Sequence, residues 1–343
     1  MTRNYDLAAI AQAIDAYTAR IATLNGVSNT ARHFAVDPKV QQTLETKMQE
    51  SSAFLGRINI VGVTAQEGEA VGIGVGGTIA GRTNTNNADR VTRDVHTTEA
   101  DAYKCVQTNY DTHLRYDKLD AWAHMPDFQT RVAASILQRQ ALDRIMTGWH
   151  GTSVAADTNR TTNPLLQDVN KGWIKKLRDG RPANVMSEVA AASGKIEVGP
   201  AVTAANGYKN LDALVLDMRG ALDPWYHNDT SIVAICGTAL LDDKYFTIVN
   251  GANVATEMVA SDILMSTRRL GGLQAVTVPH FPANAVMVTP LNNLSIYYQR
   301  NGRRRMLIDS PKRHRLENYE SSNDAYVIED FGAAVHAENI ELK

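Results

Sequence analysis

The stretch of this sequence with the most chemical content is Gly72-Ile73-Gly74-Val75-Gly76-Gly77, which matches the G-x-G-x-x-G letters of a dinucleotide-binding turn. Such a turn works because its glycines lead directly into a helix whose first amides and dipole meet a pyrophosphate. Here Gly81 and the Thr/Asn run at 83–87 follow, which form a poor helix. Asp89 and Asp94 stand at a tolerable distance for a ribose-binding acid but on no predicted strand. The match is therefore read as accidental. The nine histidines never fall within four positions of one another, and neither Cys105 nor Cys236 has a C-x-x-C partner. Metal-ligand spacings are thus missing, and so are a G-x-S-x-G elbow and a Walker loop ending in Gly-Lys-Ser or Gly-Lys-Thr. The expectation is a protein without catalysis, cofactor or metal.

Charge carries more information. Between positions 300 and 315 lie seven basic residues against one acid, Asp309, and between 316 and 343 lie seven acids against one lysine. The basic cluster is Arg303, Arg304, Arg305, Arg313 and Arg315. Arginine forks bind phosphate well, but aromatic residues near the cluster are limited to Tyr297 and Tyr298. A solvated surface with partial ion pairing, within the chain or across a subunit contact, is favoured over DNA contact. In total the two blocks cancel. The chain of 343 residues is 44% hydrophobic and 21% charged with a net charge of −2, so nothing global favours nucleic acid or an anionic membrane. No apolar run approaches the roughly 18 residues of a membrane helix, and Asp6 and Asp15 break up any secretory signal. Two cysteines are too few for a disulfide scaffold. A soluble, intracellular, globular protein with two domains, or one domain with large insertions, is expected.

Among the elements that must position these residues, the first is a helix. Leu7, Ile10, Ile14, Tyr17, Ile21 and Leu24 step by threes and fours along a narrow apolar seam, and Asn25-Gly26 ends it. That seam must be buried against its own body or a partner helix. Asp37-Pro38 opens a second helix ending at Gly56. Between Gly62 and Gly81 fall seven of the 23 glycines, and no Phe, Trp or Tyr occurs from Leu55 to Ala102. This stretch reads as a long hairpin without a core of its own, needing a neighbouring surface to lie on. A strand is expected at 105–116, then a helix from Pro126-Asp127 of about 30 Å at 1.5 Å per residue. Further helices are expected at 164–177, 211–222, 238–249 and 257–268, with strands at 231–236, 273–278, 285–289, 294–298, 325–329 and 333–342. The Ala/Ser/Gly/Val-rich stretch 183–206 is the expected domain crossing.

The order of elements resembles the HK97-like major capsid fold of tailed phages, and local strings narrow the resemblance to the peduovirus (P2-like) capsid protein family. These strings are Met48-Gln49-Glu50-Ser51-Ser52 with Phe54-Leu55-Gly56-Arg57-Ile58-Asn59-Ile60-Val61, and Leu119-Asp120-Ala121-Trp122-Ala123 leading to Asp127-Phe128-Gln129. Asp243-Lys244-Tyr245-Phe246 with Ile248-Val249-Asn250, Asn293-Leu294-Ser295-Ile296-Tyr297-Tyr298 and Glu317-Asn318-Tyr319-Glu320-Ser321 complete the set. They run collinearly from about residue 30 to the C-terminus.

The resemblance implies an α+β protein with an N-terminal helical arm (1–33), an arm and peripheral helix (34–61) and an extended loop (62–102). It further implies a peripheral domain with a long spine helix (103–207), an axial domain (208–298) and strands returning to the peripheral domain (299–343). The arm seam would act with a scaffolding protein, and a phage protease would cut near Arg32, His33 and Phe34. Glu67, Glu69, Arg82, Arg90 and Arg93 would serve inter-subunit contact from the extended loop. Partners implied are further copies of the chain in pentamers and hexamers of an icosahedral shell, a portal protein, a decoration protein and packaged double-stranded DNA held non-specifically. The virion capsid is the implied location, after assembly in the bacterial host cytoplasm. Members of this family are not expected to cross-link through lysine and asparagine, and Lys104 is the only lysine between Met48 and Lys118. An encapsulin-like compartment on the same fold is the alternative, and a nucleotide-binding enzyme a more distant one.

Overall fold

The computed structural model describes residues 7–75, 82, 96–118, 128–251 and 268–343. The apolar seam forms helix α1 (Leu7–Asn25), which stops where Gly26 adopts a left-handed φ of +63°. After the short strand β1 (Phe34–Ala35), Asp37 caps α2 (Pro38–Ser51), its carboxylate accepting from the Lys39 amide at 2.8 Å. Strands β2 (Asn59–Val63), β3 (Glu67–Val75), β4 (His96–Lys104), β5 (Val106–Asn109) and β6 (Thr112–Arg115) follow. Helix α3 (Phe128–His150) has 23 residues and spans about 35 Å at 1.5 Å per residue. Next come α4 (Trp173–Gly180) and the short strands β7 (Val185–Met186), β8 (Ile196–Val198) and β9 (Gly207–Tyr208). Asn210 caps α5 (Leu211–Gly220), which is followed by β10 (Ile232–Cys236) and α6 (Thr238–Gly251). The chain ends with β11 (Arg269–Leu270), β12 (Leu273–Val276), β13 (Val286–Pro290), β14 (Leu294–Gln299), β15 (Arg304–Ser310), β16 (Arg315–Ile328), β17 (Val335–Ala337) and β18 (Ile340–Leu342).

Strand β16 organises the first sheet. Its 14 residues pair with β15 and then β14 along one edge, and with β6 and then β5 along the other. β1 extends the sheet beyond β15, and β2 joins β14 in parallel, Ile60 opposite Ile296. A second sheet of six strands runs β11-β12-β10-β13-β17-β7, and β18-β8-β9 form a small third one. β10 reads Ile-Val-Ala-Ile-Cys without alternation because both its faces are buried. Val233 and Ile235 face a core that holds α2, α3 and α4, whereas Ile232, Ala234 and Cys236 face a core closed by α5. The two halves of the molecule therefore share a sheet rather than meeting through a linker.

The first core is centred on aromatic rings. Trp149 of α3 lies 4.9 Å from Trp173 of α4 and 4.9 Å from Phe281, and the Trp173 indole N–H donates to Ser295 O at 3.0 Å. Such close approach of the two helices demands glycine. A Cβ on Gly148 would strike the Trp173 ring, and one on Gly172 would strike the carbonyl oxygens of Gly148 and Thr147.

Several elements differ from expectation. The helix expected at 164–177 begins only at Trp173, since Leu166 takes a left-handed φ of 60° and the preceding loop is tied down by side chains. The Asp168 carboxylate accepts from Asn159 N at 2.7 Å and from Asn163 Nδ2 at 3.1 Å. The strand at 105–116 breaks at Tyr110-Asp111 into β5 and β6. Stretch 183–206 is no crossing, because Ile196, Val198 and Val202 are buried and β7 and β8 belong to sheets. β14, β15 and β16 pair into the first sheet, and β17 and β18 into the second and third. The helix expected at 257–268 lies outside the described residues except for its last position.

Because backbone rather than side chain limits the α3–α4 approach, Gly172→Ala is expected to lower stability by about 1–3 kcal/mol, the range for overpacking. Denaturant unfolding measures this; an unchanged midpoint would show that the crossing can open.

Candidate assembly surfaces and the buried ion network

Two arginines anchor the space between α2, α3 and the first sheet. Arg144 of α3 and Arg303, just before β15, are each 1% exposed. Arg144 Nη2 lies 3.2 Å from Glu45 Oε1 and 3.0 Å from Asp324 Oδ1, and its Nε lies 3.1 Å from Asp324 Oδ2. Arg303 reaches Glu45 Oε1 at 3.2 Å, Glu320 Oε1 at 2.8 Å through Nε, and Gln140 Oε1 at 2.9 Å. Ser322 and Gln140 satisfy further oxygens. Two cations thus face three carboxylates with nearly every donor used, the arrangement that lets charges persist away from water. Burial works against both guanidinium charges, but Asp324 and Glu45 hold Arg144 protonated, and Glu320 and Glu45 do so for Arg303. Burial would likewise raise the Glu320 carboxyl, yet Arg303 and Arg305 outweigh it and bring it to about 2.

The basic run pairs within the chain, one of the two expected alternatives, but Arg303 is buried and not on a solvated surface. Arg303 is buried, Arg305 bonds Asn318 Oδ1 at 2.7 Å and the Tyr17 hydroxyl at 3.1 Å, and Arg315 bonds Glu317 at 2.7 Å. Arg304 is exposed, and Arg313 reaches Glu317 only at 4.0 Å. The pairing is intramolecular, so the five residues form no common basic face. Glu45, Gln140, Arg144 and Asp324 escaped the sequence reading. Gln140 and Arg144 share a 3.6-residue face with Leu137, Ala141 and Ile145, and polar residues on such a stripe signal buried partners.

The arm lies on its own body. Ile14, Tyr17 and Ile21 pack with Phe34 on Leu307 and Leu316, whereas Leu24 is exposed. The side chains of Leu7 and Ile10 lie outside the described residues. Around the candidate junction the chain is fixed on both sides. Leu307 N donates to Thr30 O at 2.9 Å, and Phe34 pairs opposite Arg305. Arg32 and His33 between these points are exposed.

Beyond β2 the chain enters the hairpin β3–β4, which pairs Glu67 with Lys104 through to Val75 with His96 and joins no other strand among the described residues. Gly72 and Gly74 occupy ladder positions in β3, inside a paired strand and not in the tight turn a dinucleotide site needs, while 76–81 lie outside the described residues. Its base is fixed by Tyr103, whose ring lies 5.1 Å from that of Tyr297, and by Cys105 N donating to Gln66 O at 2.8 Å. Glu67 pairs with Lys104 and Arg82 is exposed, while Arg90, Arg93 and the Glu69 side chain lie outside the described residues. Among the described residues no His/Cys/Asp/Glu group could hold a metal ion, and no helix is long and apolar enough to cross a membrane.

Residues 13–340 match the model of the phage major capsid protein family described as P2 family. The chain belongs to that family. It is 45% identical over 337 residues to the capsid protein of Escherichia phage P2, covering 96% of this chain and 93% of that protein. The major capsid protein of Serratia phage KSP20 is 40% identical, covering 95% of each. Among solved structures, the satellite phage P4 procapsid including size determination (Sid) protein matches with a TM-score of 0.81 at 43% identity, covering 94% of this chain and 96% of that one. The fold is accordingly the HK97-like capsid fold, and this P2-family capsid protein is a structural protein of the icosahedral shell of tailed phages, not an enzyme.

The capsid subunit depends on its buried charges, so Arg144→Met, which strands Glu45 and Asp324, is expected to cost about 3–5 kcal/mol. Chemical denaturation checks this; a loss below about 1 kcal/mol would mean that the remaining charges repack. Acid should also destabilise the fold. Burial, aided by Arg178, lowers His336 from 6.5 to about 3, so the folded state refuses a proton that the unfolded chain accepts. Glu320 behaves alike, about 2 in the fold against 4.5 unfolded. Stability is therefore complete above pH 6.5 and falls as pH drops, first through His336 down to about 3 and, below 4.5, also through Glu320 down to about 2. The limiting slope is about 1.4 kcal/mol per pH unit for each group. Unfolding temperatures measured from pH 7 to 4 should fall, and His336→Gln should flatten the part above pH 4.5.

Proposed function

We propose that, within the shell, the extended loop 62–102 lies across a neighbouring copy and supplies the contact that closes the lattice. One observation carries this reading: a nine-pair hairpin forms a sheet of its own, with no third strand among the described residues. An isolated two-stranded ribbon is marginal in water, and its free edges call for another surface. Glu67 and Arg82, with Glu69, Arg90 and Arg93, are the polar groups that would meet that surface. The half built on the six-stranded sheet would supply the axial tips that meet at fivefold and sixfold axes, and the half holding α3, the spine helix, the periphery.

The arm would act as a guide during assembly. Residues 31–33 stand exposed between two points fixed to β15, a presentation suited to a protease cut at Arg32-His33-Phe34. Accessory proteins fit the same picture, since the related P4 procapsid includes a size determination (Sid) protein. A scaffolding protein, a portal protein and a decoration protein would join the copies of this chain in the bacterial cytoplasm. Packaged double-stranded DNA would be held by non-specific contact only, in keeping with the intramolecular pairing of Arg303, Arg305 and Arg315.

Replacing residues 70–101 by a short glycine–serine turn tests the loop assignment. The shortened chain should remain soluble with an unchanged unfolding temperature, yet give no closed shells by negative-stain electron microscopy with its scaffold. Closed shells at normal yield would overturn the reading.

A further inference from the structure

The most exposed large apolar side chains among the described residues are Leu216, at 61%, and Trp225, at 60%. Both belong to one segment, α5 and the turn that follows it. The inner face of α5 is fully used, with Leu211, Leu214, Val215 and Met218 in the core. Leu216 stands off that stripe. One turn later Gly220 has no neighbour within reach of a Cβ, so the outer side of the helix is open.

The turn that carries Trp225 is held firmly. The Asp223 carboxylate receives both Arg181 nitrogens at 2.7 and 3.1 Å, and Asp223 N donates to Gly332 O at 3.1 Å. On the other side the Tyr226 hydroxyl donates to Asp330 Oδ2 at 2.5 Å and Tyr226 N to Asp223 O at 2.9 Å. His227 O accepts from Arg219 Nε at 2.9 Å, tying the turn back to α5. The Tyr226 ring lies 6.1 Å from the indole, and the two side chains are hydrogen-bonded. Trp149 and Trp173, by contrast, are sunk in the core.

Exposing most of an indole on a backbone fixed at so many points is costly for solubility. It does suit binding, because a pre-ordered aromatic loses little freedom on docking, and tryptophan is prominent among residues that dominate interfaces. The family function already supplies the partner: a shell is made of copies of this chain, each bearing the same exposed side chains. We propose that Trp225, supported by Leu216, is an anchor of the contact between neighbouring copies in the shell, separate from the extended loop.

The test uses the full chain with its scaffold. Trp225→Ala and Leu216→Ser should keep the unfolding temperature of the parent, and the yield of closed shells should fall at least about tenfold for Trp225→Ala, as removal of a single anchor worth about 1.4 kcal/mol predicts. Independently, the fluorescence difference between the parent and Trp225→Phe isolates the Trp225 emission, which should shift to the blue when subunits enter shells. An emission unchanged on assembly would overturn the proposal, even if the alanine variant failed to fold. So would normal shells from a folded Trp225→Ala chain; normal shells that fail to take up another virion protein would assign the patch to that protein instead. Failure of the loop deletion above leaves this outcome unaffected, because the two variants alter different surfaces.

Discussion

Two arginines without access to water hold the N-terminal third of the subunit to its C-terminal strands. Arg144 comes from the long helix, Arg303 from the entry to β15, and between them Glu45 fixes α2, the helix that follows the arm. Hydrophobic contact alone would hold these elements together but would let them slide. Fork-shaped donors set against carboxylates allow one register, since moving any member by an ångström leaves a buried charge unpaired. Asp324 and Glu320 lie four residues apart on β16, so the same strand that orders the sheet also sets the charges.

The shared six-stranded sheet has the corresponding role for the other half. A sheet buried on both faces transmits position from one core to the other, because neither core can shift without repacking Val233 and Ile235 or Ala234 and Cys236. Three further pieces are attached to this body: a helix laid over the sheet, a hairpin with no third strand among the described residues, and a turn bearing an exposed indole. In a shell protein, such a division keeps local geometry constant while contacts are made elsewhere.

Much of this was legible in the letters wherever local periodicity and burial agree. The seam of α1, the Asp37 cap, the aromatic-free hairpin and the apolar β10 each follow from side-chain spacing. Reading failed where long-range pairing decides. Arg303, Arg304 and Arg305 look like a surface cluster, and only the pairing of β15 with β16 alternates them between a buried ion network and solvent. Residues 164–172 have adequate helix formers, yet the Asp168 carboxylate captures the loop first. Sheet membership of β14 and β17 likewise depends on partners far away in sequence.

The parallel pairing of Ile60 with Ile296 has a consequence for synthesis. β2 leaves the ribosome long before its neighbour, and α1 long before the β15 surface that receives it. Closing a loop of that length precedes any reward from the contact. The chain thus cannot organise the root of its hairpin until β14 has been made.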